Sequence, residues 1–166
     1  LVVSRVNTQL DQNAADILQK QTENRQNYLE SIMLAAQDLS ELERYIDATL
    51  EDLLAEGAVS LDTLDRSSED ALPLLEAIGP QLITALRSRS VTGVFVVLNT
   101  HDLDQREAGS SLPCVYLRDL DPTSAPSERN SDVTLVRSPT ELVRSLHIAT
   151  DTSWAPTLKY NGKIEQ

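Results

Sequence analysis

The side chains with the clearest potential for chemistry lie on and after a short run of alternating apolar and polar residues, 115–121. Arg118 and Asp119 are adjacent in this run, and Asp121 stands directly before a proline. A planar guanidinium such as that of Arg118 can bind a carboxylate through two parallel hydrogen bonds. The two aspartates could serve as a carboxylate pair, but an aspartate before proline more often shapes a turn, and Arg118 would then only balance charge.

Aromatic residues could complete a small-molecule pocket near this run. Tyr116 lies within the run, and Trp154, the single tryptophan, lies farther along the chain, followed by Tyr160. A lone tryptophan in a turn more often closes one end of a hydrophobic core than lines a pocket. The candidate ligand-binding residues are Tyr116, Arg118, Asp119, Asp121 and Trp154.

The other reactive groups match no catalytic or metal-binding motif. His101 lies close to Asp102 and Asp104, but the only other histidine, His147, belongs to a different element, so an exposed polar loop is favoured over a metal site. No neighbouring residue in the sequence would activate the thiol of Cys114, and a buried strand cysteine is favoured. Phosphate-binding glycine-rich loops and hydrolase motifs are lacking. The sequence therefore predicts no enzyme, no cofactor and no metal site.

The chain is strongly acidic. It has 166 residues, with 26 acidic and 14 basic side chains and a formal net charge of −12. Binding to nucleic acid or to anionic lipid depends on lysine and arginine, so this balance disfavours both partners. The length suits one ordinary domain with its own core.

Few features of the sequence indicate a membrane span or a particular cellular compartment. No run reaches the roughly 18–20 apolar residues of a membrane span. The chain begins Leu-Val-Val without a methionine, and we interpret these residues as the possible end of a membrane helix. A single cysteine excludes an intrachain disulfide and leaves the compartment open.

Residues 1 to about 36 have the spacing of one long helix. Apolar residues recur every three or four positions at both ends, and residues 19–27 are almost wholly polar but contain no glycine or proline. Such a helix would span roughly 50 Å, more than a compact domain of this size needs. We expect its N-terminal part to pair with a second copy, forming a homodimer, or to continue into a membrane anchor.

Further helices are predicted up to about residue 90. Ser40 with Glu43 has the spacing of a capping box, which predicts a helix from about Glu41. Ser67 with Asp70 predicts the cap of the next helix. The Gly-Pro pair at 79–80 predicts a break there, with the proline as the first residue of a new helix.

Strand signals follow. Val94–Leu98 is an unbroken apolar run typical of a buried strand, and the alternation over 115–118 predicts that Val115 and Leu117 face one side and Tyr116 and Arg118 the other. Asp132–Val136 predicts a third, short strand.

The last third of the chain is predicted to close with a helix, a turn and a strand. Ser-Pro-Thr-Glu at 138–141 is typical of a helix start. We expect a turn over Asp151–Pro156, a last strand over Thr157–Ile164, and a surface loop over Asp121–Asn130.

The predicted fold is α+β, with a long N-terminal helix and a helical layer on a small antiparallel sheet. The N-terminal helix covers residues 1–37, and residues 38–166 hold the helical layer and the sheet, as one structural domain overall. Two or three strands are few for a stable sheet, so we expect the sheet to be incomplete or its edge to be covered by a partner.

Five segments together resemble a known family: 92–98 (TGVFVVL), 115–122 (VYLRDLDP), 130–132 (NSD), 142–148 (LVRSLHI) and 151–154 (DTSW). In this order they resemble the extracytoplasmic sensor regions of bacterial membrane receptors, especially clostridial-type diguanylate cyclases and sensor histidine kinases. These regions are Cache-like, an extracytoplasmic relative of the PAS fold.

The resemblance implies a periplasmic or cell-surface sensor in which a long helix leaves the membrane and lies along a PAS-like sheet. Family members bind small molecules such as amino acids or carboxylates on the sheet and signal through helices to a cytoplasmic output domain. The Tyr and Trp spacing of amino-acid-binding Cache pockets is not evident, and this leaves the ligand open. The main hypothesis is a ligand-sensing domain, and the alternative is a helical dimerisation module without a small-molecule ligand.

Overall fold

The computed structural model describes residues 2–37, 39–89, 91–122 and 130–162. Helices and strands combine in an α+β fold, which confirms the predicted class. In chain order the elements are α1 (Val2–Gln37), α2 (Ser40–Ala55), α3 (Ser68–Ser88), β1 (Gly93–Val97), a 3₁₀ turn (Leu103–Gln105), β2 (Ser111–Leu112), β3 (Cys114–Asp119), β4 (Val133–Arg137), α4 (Thr140–Leu146), β5 (Ala149–Ala155) and β6 (Leu158–Lys159). Contacts divide the chain into two units, residues 1–38 and residues 39–166.

The first unit is helix α1, which runs for 36 residues without a break. Its polar middle is stabilised by bonds between side chains four residues apart. Gln19 Nε2 donates to Glu23 Oε1, and Gln26 Nε2 donates to Glu30 Oε1, each over 2.9 Å. These local pairs and water satisfy the polar side chains, so the stretch does not interrupt the helix.

The second unit contains a four-stranded sheet in the order β1-β3-β4-β5. β1 pairs with β3 and β3 with β4 in antiparallel fashion, whereas β4 and β5 are parallel. Helix α4 supplies the crossover that a parallel pair requires. The sheet is therefore mixed and not wholly antiparallel. A separate two-stranded sheet joins β2 and β6.

One face of the main sheet packs on the helices. Val115 and Leu117 are fully buried in the same core as Leu75 and Leu82 of α3. The alternating Tyr116 and Arg118 are only partly buried, which confirms the predicted division of β3 between two faces. The core lies between the sheet and the layer formed by α2, α3 and α4.

Helix α3 continues through the Gly-Pro pair at which a break was predicted, so that prediction was wrong. Ile78 and Leu82, on either side of the pair, are fully buried. Burial of this continuous apolar face offsets the backbone hydrogen bond that Pro80 cannot donate. Gly79 serves close packing, because a Cβ there would lie 2.9 Å from Cδ2 of Leu146 in α4.

The two predicted caps had different outcomes. The hydroxyl of Ser67 accepts a hydrogen bond from the Asp70 backbone over 3.1 Å, which confirms the cap of α3. The capping box at Ser40 was wrong, because the N-cap of α2 is Leu39 and makes no side-chain cap bond. The Leu39 carbonyl already accepts from the Glu43 amide over 2.8 Å, so the helix starts one residue earlier than its polar signal.

The C-terminal predictions were also partly wrong. The segment around Trp154, predicted as a turn, belongs to β5, because pairing with β4 holds it extended. Within the described part of the predicted last strand, only the two residues of β6 are extended and paired. Residues 163–166, and residues 123–129 of the predicted surface loop, lie outside the described part of the chain.

Candidate functional site

The five predicted ligand-binding residues do not form a single cluster. Tyr116 and Arg118 lie on the sheet face that points away from α3, whereas Asp119 lies on the opposite, helix-facing side at the end of β3. Asp121 follows the strand and is exposed, and Trp154 is half-buried on β5. The structure therefore places Tyr116 and Arg118 together on the outer face and the other three residues elsewhere.

Two aromatic rings pack against each other on this outer face. Phe95 of β1 is 69% exposed and pairs across strands with Tyr116. Their ring centroids lie 6.1 Å apart in an edge-to-face arrangement. A Cβ on Gly93 would lie 2.8 Å from Tyr116 Cε2, so the absence of a side chain there allows the tyrosine ring its position.

The guanidinium of Arg118 lies over the Tyr116 ring, with its central carbon 5.9 Å from the ring centroid. Its other contact is a long one, 3.4 Å from Nη1 to Oδ2 of Asp151, and 42% of its side chain is exposed. The Asp151 carboxylate is already held by the Ser153 hydroxyl and amide over 2.7 and 2.8 Å, which lower its pKa. Arg118 thus keeps donor groups for a ligand, since a guanidinium has five N–H donors.

Thr134 lies beside Arg118 on the same face. The two residues are opposite each other in β4 and β3, and opposite residues point to one side of a sheet. Thr134 is 9% exposed, and its hydroxyl has no hydrogen-bond partner among the described residues. We use the name outer-face site for Phe95, Tyr116, Arg118 and Thr134.

Asp119 belongs instead to a charge cluster on Arg87. Nη1 of Arg87 lies 2.9 Å from Asp119 Oδ2 and 2.7 Å from Asp132 Oδ2. The second oxygen of Asp119 accepts the Asp121 amide over 2.9 Å, so these two aspartates shape a turn. The hydrogen bond that Arg87 donates to the Asp132 carboxylate raises the pKa of Arg87 despite its burial. This cluster joins the C-terminal end of α3 to β3 and to the residue before β4.

Trp154 is held by a hydrogen bond to a buried residue and by packing against the hydrophobic core. Its indole Nε1 donates to the hydroxyl of the fully buried Ser138 over 3.3 Å, and its ring packs against the hydrophobic core. This geometry matches a tryptophan that closes the core better than one that lines the outer-face site.

A second charge cluster, around Asp65, has no signal in the sequence. Asp65 is fully buried and accepts hydrogen bonds from the Thr100 amide over 2.9 Å and from His101 Nδ1 over 3.0 Å. The guanidinium of Arg106 also pairs with it, and Arg106 Nε donates to Asn99 Oδ1 over 2.7 Å. These partners lie 35 to 41 residues from Asp65 along the chain, so no local spacing rule could have found them.

The Asp65 cluster is charged and fixes a loop. Burial raises the pKa of Asp65, but the hydrogen bonds from His101 and Thr100 outweigh it and leave that pKa well below its ordinary value. The His101 side chain is 49% exposed, with Nδ1 held by the carboxylate. The cluster ties the connection from β1 to β2 to the turn before α3.

The remaining candidate groups are metal-ligating side chains and the thiol of Cys114. No group of three metal-ligating side chains occurs among them. Cys114 is buried in β3, as predicted, and burial raises the pKa of its thiol. A thiol with a raised pKa is a poor nucleophile at neutral pH.

Comparisons with protein-family models, curated proteins and solved structures found no match for this chain. The resemblance to Cache-like sensor regions therefore stays a prediction that rests on the residues alone. Within the described ranges, none of the helices combines the length and the apolar character required to cross a bilayer.

Proposed function

We propose that this chain is the extracytoplasmic ligand-sensing region of a bacterial transmembrane signalling receptor. In this proposal the outer-face site binds a small molecule with a carboxylate group. Ligand binding shifts the population of receptor conformations, and the long helix carries the change to a cytoplasmic output domain such as a diguanylate cyclase or a histidine kinase. The full-length protein would be tethered to the cell membrane.

The observation that carries this proposal is that Arg118 is held in place but only weakly paired. Its guanidinium is oriented by the Tyr116 ring, yet its ion pair with Asp151 spans 3.4 Å. Because a bidentate pair of arginine and carboxylate is shorter and stronger than this, a ligand carboxylate would improve on the internal contact. The exposed Phe95 ring adds an apolar contact at the same place, whereas the Thr134 hydroxyl is buried beside Arg118.

A thermal-shift screen with amino acids, dicarboxylates and polyamines tests the ligand class. We expect some carboxylates to raise the melting temperature by several degrees when present well above their Kd, and polyamines to have no effect. The variant Arg118→Gln should lose this shift, because it removes the charge that selects a carboxylate. Arg144→Gln, on the exposed side of α4, is the matched control and should keep it.

Two results would contradict the proposal. One is a folded protein that none of these compounds stabilises. The other is an Arg118→Gln variant that responds to carboxylates as fully as the parent protein does.

The alternative function, a helical dimerisation module without a ligand, is favoured by helix α1. Large apolar side chains on this helix are more than half exposed, namely Ile17, Leu18, Tyr28, Leu29 and Met33. Exposed apolar side chains at helical spacing are typical of a surface that a partner helix covers. In this reading the small sheet is only structural.

Sedimentation velocity over a range of concentrations tests homodimerisation through α1. We expect self-association in the parent protein and its loss in Leu18→Gln/Leu29→Gln, because the pair removes apolar area from the contact. Asn13→Gln/Asn24→Gln changes two exposed polar positions of the same helix and should associate normally. A protein that stays monomeric at all concentrations would remove this candidate.

A further inference from the structure

We infer that helix α2 and the free edge of β1 form a docking groove for an extended, basic peptide segment of a partner protein. This inference does not depend on the proposed ligand site, although the groove and the outer-face site share Phe95. The groove has a volume of about 280 Å³ and is lined by Leu39, Leu42, Glu43, Ile46, Asp47, Phe95 and Val96.

The lining residues place the groove along the edge of the sheet. Phe95 and Val96 are neighbours in β1, and successive side chains of a strand point to opposite faces. A groove that touches both therefore lies beside the strand and not over one face. In the sheet order of the described residues, β1 has β3 as its only neighbour, so it is an edge strand there. Its outward N–H and C=O groups are available in the way that strand addition requires.

The apolar part of the groove suits an aliphatic or β-branched side chain. Leu39 is 46% exposed and Phe95 is 69% exposed, so both present apolar surface to solvent at the two sides of the groove. Leu42, at the base of α2, is buried, which gives the groove a firm floor. An extended peptide would extend the sheet along β1 and point alternate side chains into this apolar space.

Charge decides which kind of peptide fits. Glu43 and Asp47 line the groove, are exposed, and stand four residues apart on one helix face, where like charges repel each other. Helix α2 carries the further carboxylates Glu41, Glu51 and Asp52 and a single basic residue, Arg44. Lysine or arginine side chains on the partner would relieve this repulsion and complement the rim.

The same charges disfavour a second copy of this chain as the occupant. Two copies paired edge to edge through β1 would each contribute Glu43 and Asp47 to one interface, and each has a formal net charge of −12. Like charges brought together across an interface cost binding free energy. A basic strand from a different protein avoids this cost and uses the same backbone edge.

Fluorescence anisotropy with a labelled peptide of alternating lysine and valine, about seven residues long, tests the inference on the full chain. We expect saturable binding that weakens as salt is raised, because the charge contacts are exposed. The variant Glu43→Gln/Asp47→Asn should weaken binding roughly tenfold. Glu51→Gln/Asp52→Asn makes the same charge change on the same helix away from the groove and should bind nearly as the parent does.

Two further probes separate the contributions. A peptide with glutamate in place of lysine should not bind, and a peptide N-methylated on the residues that face β1 should bind much more weakly, because it cannot donate to the strand edge. The inference is overturned if the lysine peptide does not bind, if the glutamate peptide binds equally well, or if N-methylation has no effect. Self-association of the protein that Phe95→Ala abolishes, without peptide binding, would identify a second copy as the occupant and also overturn it.

Discussion

Replacing Asp65 with asparagine should lower the free energy of unfolding by about 3 kcal/mol. Asp65 is fully buried, and three groups donate to it: the Thr100 amide, His101 Nδ1 and the Arg106 guanidinium. Asparagine has nearly the same volume but no charge, and its amide nitrogen would face donors. The variant also leaves Arg106, whose side chain is only 15% exposed, without a counterion.

Urea denaturation followed by circular dichroism measures this loss. The matched control is Asp62→Asn, an exposed aspartate in the same turn segment, which should change stability by less than about 0.5 kcal/mol. A loss below about 1 kcal/mol for Asp65→Asn would mean that the cluster contributes no more than a surface ion pair.

The acid response of the parent protein checks the same cause. The pKa of Asp65 is lowered in the folded state, while an aspartate in the unfolded chain titrates near 3.9. The stabilisation is therefore present above about pH 4 and declines as the pH falls below it towards the folded-state pKa. The difference in stability between parent and Asp65→Asn should shrink on acidification below about pH 4. A difference that stays constant would contradict a role for the charge of Asp65.

Replacing Arg87 with methionine should have a similar or larger effect, about 4 kcal/mol. The guanidinium pairs with Asp119, whose side chain is 2% exposed, and with Asp132, whose side chain is 16% exposed. Methionine keeps much of the apolar stem but leaves two carboxylates close together without their cation. Because removal of one partner from a buried cluster exposes the full desolvation cost of the others, the loss exceeds that of a surface pair.

A double-mutant cycle apportions this loss. Adding Asp119→Asn to Arg87→Met removes one of the uncompensated charges, so the double variant should be less destabilised than the sum of the single changes. Arg144→Met, at an exposed position of α4, is the control and should lie near the parent. Strict additivity of the two changes would show that Arg87 and Asp119 are not coupled.

The Arg87 cluster also bears on the proposed site. Asp119 is the residue after Arg118, and the cluster holds this end of β3 against α3 and the residue before β4. A loosened cluster would let the end of β3 shift, and with it the guanidinium over Tyr116. Asp119, which was predicted as part of the site itself, would therefore support the proposed ligand site from the opposite face.

Local patterns were sufficient for the parts of the fold that depend on near neighbours. The three-to-four spacing and the absence of glycine and proline predicted α1, and the apolar run after Gly93 predicted β1. Alternation along β3 placed Tyr116 and Arg118 on one face and Val115 on the other. The cap of α3 at Ser67 was also predicted, because all of these signals act within a few residues.

Tertiary contacts decided the rest. Helix α3 passes Pro80 because its apolar face is buried on both sides of the proline, and β5 is a strand because β4 pairs with it. The partners of Asp65 and Arg87 lie 32 to 45 residues away, where no sequence period connects them. The sequence alone offered Arg118 and Asp119 as candidates for ligand binding. Folding decided that Arg118 stays partly exposed while Asp119 does not, because burial against α3 pairs Asp119 with Arg87.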